Sequence, residues 1–206
     1  METPLREQQV QVIGRTTVLE AVSGAADSSG PTSEIAWRAT LGEGGCVMTS
    51  KSDFTEEEWV RVRRAPFVAG MAISLADPGG PIELAKESMA AVKTATNPPS
   101  REQLLADVAL DIQSMTQQRQ NPLSDFKVTD AAQAGQQILD ELRAVKELVT
   151  AKATPEEASA FGQWLAATAQ AAADAAKEGG FLGFGATQIS EGEKDMIDKV
   201  RSAVGA

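Results

Sequence analysis

The sequence predicts an all-α protein, a compact antiparallel bundle of about six or seven helices, and three patterns carry that prediction. Downstream of Met48, apolar residues recur at intervals of three and four. Four Ser/Thr-x-x-Glu/Gln boxes stand just ahead of such runs. The links between runs are short and rich in Pro and Gly, which end one helix and favour a reversed neighbour.

Taken in order, Thr55-Glu56-Glu57-Glu58 opens the first helix. The Thr hydroxyl can accept an early backbone N–H while Glu58 reaches back to the start. Trp59 and Val62 begin its apolar face. Pro66 lacks an N–H, so it is expected to restart a second helix carrying Phe67, Met71 and Leu75 and ending at Asp77-Pro78-Gly79-Gly80. Ile82, Ala85, Met89 and Val92 form the stripe of the next helix. Ser100-Arg101-Glu102-Gln103 should cap a helix with Leu105, Val108, Ile112 and Met115 on one side, and Ile138, Leu142, Val145 and Val149 mark another. Thr154-Pro155-Glu156-Glu157 puts Pro at the first helical position, where the missing N–H costs nothing. Behind it run Phe161, Trp164 or Leu165, Thr168 and Ala172. The alanine-rich AATAQAAADAA lets this helix pack closely or sit centrally. Ser190-Glu191-Gly192-Glu193 opens the last helix, with Met196 or Ile197, Val200 and Val204. Each stripe is one face of an amphipathic helix that must be buried against neighbours.

Residues 1–47 read as a poorly structured segment, and residues 48–206 as the all-α domain. QVQVIGRTTVLEAV alternates weakly, and SGAADSSGPTSE has the composition of a linker. Glu43-Gly44-Gly45 shortly before Met48 can be encoded by purine-rich codons of the kind that position a bacterial ribosome. One reading is therefore a translated leader upstream of a start at Met48; the other is a flexible arm or small hairpin. N-terminal sequencing from the native host separates the two.

Composition narrows the chemistry. The 206 residues carry 29 acidic and 19 basic side chains, a net charge of −10 that repels phosphate backbones and anionic lipid. Neither a nucleic acid nor a membrane surface is the expected partner. No apolar run approaches the length of a membrane span, and METPLREQQV lacks the order of a secretory signal, so a cytoplasmic protein is expected. Histidine is absent, which removes imidazole-based nucleophile activation and HExxH zinc sites. Cys46 is the sole thiol, so an intramolecular disulfide or thiolate-clustered metal cannot form. Catalysis would rest on carboxylates, Lys, Arg, Ser or Thr alone. No cofactor is expected.

Three places could still hold function. The connector Gly179-Gly180-Phe181-Leu182-Gly183-Phe184-Gly185 could be an apolar lid or clip, with a plug between the last helices as the plainer alternative. Trp59, Phe67, Phe181 and Phe184 are the candidates for a contact surface. Asp77 and Glu83 in one helix–turn–helix, and Glu178, Glu191 and Glu193 in another, could offer oxygens to Ca²⁺ or Mg²⁺. The metal candidates are Asp77, Glu83, Glu191 and Glu193, although acidic residues at helix starts ordinarily serve the cap and dipole. Asp107 and Asp111 share a helix face and read as a solvated pair; Arg61, Arg63 and Arg64 read as a solvated basic face.

The acidic, Gly-rich turn, the Ser-x-x-Glu helix start and the small-residue helices of Lys177–Ala206, and more faintly Ala72–Val92, resemble the tellurite-resistance TerB-like α-helical proteins. That likeness implies an acidic, divalent-cation-binding stress protein, although the insertion FLGFGAT breaks the compact turn of the pattern. From Phe54 onward, RAPFVAGMAISLADPGG with EGGFLGFGATQIS also resembles an uncharacterised family of small bacterial helical proteins, which implies no activity. The expected function is a non-enzymatic interaction or regulatory protein, with a protein partner or a second copy in a homodimer. Cation binding in the TerB-like manner is the alternative.

Overall fold

A computed structural model describes residues 48–76, 80–177 and 189–206, which belong to one unit spanning Cys46–Ala206. Among these residues the chain forms six α-helices and no strand: α1 (Glu56–Ala76), α2 (Pro81–Ala95), α3 (Gln103–Gln117), α4 (Ala134–Lys152), α5 (Pro155–Lys177) and α6 (Glu191–Val204). Short 3-10 turns at Lys51–Asp53 and Ala131–Gln133 precede α1 and α4. None of the described helices is long and apolar enough to cross a membrane. The expectations for residues 1–47, and for the Gly-Phe connector with Phe181 and Phe184, lie outside the described residues, as do Asp77 and Glu178.

Three of the four caps form as their sequences dictate. Glu58 N–H donates to Thr55 Oγ1 at 3.3 Å and Thr55 N–H to Glu58 Oε2 at 2.7 Å. The pairs Thr154–Glu157 and Ser190–Glu193 repeat the exchange. The fourth does not form. Glu102 rather than Ser100 stands at the start of α3, and the buried Ser100 Oγ has no hydrogen-bond partner.

Pro66 does not restart a helix. It sits inside the continuous α1, although it cannot donate to the carbonyl of Val62. The helix survives because tertiary packing holds it: every residue from Ala65 to Gly70 is buried, so this stretch is enclosed on all sides. The merger explains why six helices are seen where a seventh was open.

α1 and α5 are the central pair. Each touches the other and all four remaining helices. The alanines of α5 make this possible, since Ala169, Ala172 and Ala173 are fully buried beside Trp164 and Leu165. Gly162 brings α6 closer still: a Cβ there would lie 2.5 Å from the carbonyl oxygen of Val204. The predicted stripes of α3, α4, α5 and α6 all face this core, with only Met196 of the alternative α6 positions left partly exposed.

α2 departs from prediction. Most of its apolar stripe points away from the core: Ile82 and Met89 are each 73% exposed and Ala85 is exposed, while Val92 is half-buried against the core. The inward face is instead Glu87, Ala91 and Ala95. Small side chains let α2 approach closely, and Gly70 of α1 meets Ala91 where a Cβ would come within 2.8 Å of its methyl group. Two polar links fix the orientation. Ser74 Oγ of α1 donates to Glu87, and Trp164 Nε1 of α5 donates to the Thr94 carbonyl at 2.9 Å.

Candidate binding face on helix α2

The inverted packing of α2 produces two adjoining features. One is a cavity of about 350 Å³ between α1, α2 and the turn at 121–123. Phe67 and Met71 from α1, Leu84 and Val92 from α2, and Leu123 give it mainly apolar walls. Glu87, 3% exposed, also lines it and accepts a hydrogen bond from Ser74 Oγ. The other feature is the outer stripe itself, where Met89, Val92 and the stem of Lys93 border a shallow apolar depression. A helix that buries a carboxyl and exposes Ile and Met reverses the usual amphipathic order.

The sequence-predicted contact residues fall elsewhere or at the margin. Trp59 is 1% exposed and cannot mark a surface: its ring packs 5.7 Å from that of Phe54, and its indole N–H donates to Asp111 at 2.7 Å. Phe67 is 8% exposed, and it reaches solvent space only as a wall of the α1–α2 cavity. Leu84, Glu87 and Met89 were missed as site residues. The spacing that places Ile82, Ala85, Met89 and Val92 on one face was legible, but not which way that face turns.

The predicted metal ligands do not converge among the described residues, where no group of three suitable side chains occurs. Glu83 accepts from the N–H of Gly80 at the start of α2, and Glu193 closes the α6 cap. Glu191 pairs with Lys194 at 3.4 Å on an exposed turn.

The basic cluster is not a solvated face. Arg61 and Arg64 both bind Glu141 of α4, at 2.8 and 2.7 Å, and Arg63 reaches Asp111 of α3 at 3.3 Å. Burial is the largest influence on the Glu141 carboxyl and favours its neutral form, but the hydrogen bonds and charges of the two arginines outweigh it and hold its pKa below the ordinary value. At Asp111 burial is again opposed, by the Trp59 indole, the Lys51 ammonium and Arg63, with the same net lowering. Asp107 and Asp111 therefore serve structure. Asp107 accepts the Lys51 N–H and the Gln103 amide, which ties the entry to α1 onto α3.

Compared with known protein families, curated proteins and solved structures, the chain matches none.

Proposed function

We propose that this protein is a non-catalytic interaction or regulatory protein that self-associates through the outer face of α2. One observation carries the reading: the helix's apolar period, Ile82, Ala85 and Met89, lies in solvent while Glu87 faces inward. Single exposed apolar residues are ordinary, but a full period on one helix supports a partner. The residue numbers 82, 85, 89 and 92 are spaced identically in both directions. An antiparallel two-fold pairing then sets Ile82 against Val92 of the partner subunit and Ala85 against Met89 of the partner subunit, large beside small. Burying this stripe recovers apolar area at roughly 25 cal/mol per Å². Against catalysis stand the missing imidazole and the structural use of Asp107, Asp111 and Glu141.

Sedimentation velocity tests the proposal. The wild-type chain should show a concentration-dependent dimer, and Met89→Lys should be monomeric with an unchanged helical circular dichroism spectrum. A wild-type monomer at submillimolar concentration, or a Met89→Lys dimer as tight as wild type, would overturn it.

A further inference from the structure

The cavity between α1 and α2 has a chemistry that the outer stripe does not explain. Its walls are mainly apolar, its volume of about 350 Å³ falls at the small end of ligand sites, and one acidic side chain is set into it. Glu87 has a single hydrogen-bond partner, Ser74 Oγ, and no ion pair among the described residues. No Lys or Arg lines the cavity. A carboxylate taken out of water is costly unless several hydrogen-bond donors or a cation meet it. Elsewhere the chain supplies the partners itself: Glu141 holds two arginines, Asp111 holds Lys51 and Arg63, and the buried Glu157 accepts the backbone N–H groups of Thr49 and Thr154. Glu87, 3% exposed, has neither a cation nor a backbone N–H among the described residues, only the Ser74 hydroxyl.

We propose that the α1–α2 cavity is a binding site for a small amphipathic amine, its ammonium paired with Glu87 and its apolar body against Phe67, Met71 and Leu123. The ammonium donates to the carboxylate oxygen that Ser74 leaves open, while Ser74, Ser88 and Asn121 supply the remaining polar wall. Charge selects the head group and the apolar lining selects the body. The site does not rest on self-association, since a monomer contains all of it.

Isothermal titration calorimetry of the full chain with three probes of one shape tests this. Phenethylamine should bind at least about tenfold more tightly than phenethyl alcohol, because a charge-assisted hydrogen bond exceeds a neutral one, and 3-phenylpropionate should give no binding heat. Glu87→Gln keeps the shape and the Ser74 contact, and should bind amine and alcohol equally. Ser88→Trp, at an exposed position on the cavity wall, should weaken both by about tenfold through steric blockade. Should Glu87→Gln fail to fold, the wild-type comparison decides alone. Equal affinity of the wild type for amine and alcohol, absence of amine binding at millimolar concentration, or a folded Glu87→Gln that keeps the preference would overturn the proposal.

Discussion

Glu141 is the residue on which two turns of α1 depend. Its side chain and that of Arg64 are only 12% and 11% exposed, so removing the carboxylate strands a guanidinium in a poorly hydrated place. Glu141→Ala should cost about 2 kcal/mol, measured by urea denaturation, whereas exposed Asp140→Ala should cost a few tenths of that. The pH dependence follows from Glu141 and Asp111 together. Both carboxyls have folded pKa values below their unfolded ones, so the stability they contribute is fully present above the unfolded values and lost as pH falls through the folded ones. The melting temperature should stay level from neutral pH to about 5 and fall below about 4, which circular dichroism can follow. None of these pairings was legible in the sequence. Arg61 and Glu141 are eighty positions apart, and only the packing of α1 on α4 makes them neighbours.

At the scale of elements, the local signals were informative wherever a helix start is decided by its own residues. Thr55, Thr154 and Ser190 cap their helices, whereas the equally complete box at Ser100 does not, because α3 starts two residues later at Glu102. Pro66 and α2 were misread because distant contacts decide them. Burial on every side carries α1 through Pro66, and close packing of Gly70 on Ala91 turns the small face of α2 inward. The approach of α5 to α6 gives a test with a distinctive sign. Gly→Ala in a helix interior ordinarily stabilises by about 1 kcal/mol, but at Gly162 the new methyl would meet the Val204 carbonyl. Gly162→Ala should therefore destabilise by about 1–3 kcal/mol in chemical denaturation. A stabilised variant would show that α6 does not end against α5 as described.

The described helices of the larger unit join a centre built by α1 and α5 to an outer helix whose apolar side is turned out. The bundle itself was legible, since four of its stripes face inward as their spacing requires; the binding face was not, because a stripe's period does not say what covers it. Net charge acts at this scale too. Two copies at −10 repel one another, so added salt should tighten the dimer by screening, the reverse of its effect on a pairing held by opposite charges. Sedimentation at low and high salt reads the difference. The orientation of α2 underlies both proposals, and thiol labelling in a Cys46→Ser background addresses it most directly. Met89→Cys should react at least about tenfold faster than Ala91→Cys in dilute protein, with only the Met89→Cys rate slowing as concentration rises, because protection follows burial and dimer formation. Ala91→Cys reacting as fast as Met89→Cys in dilute protein would contradict the account.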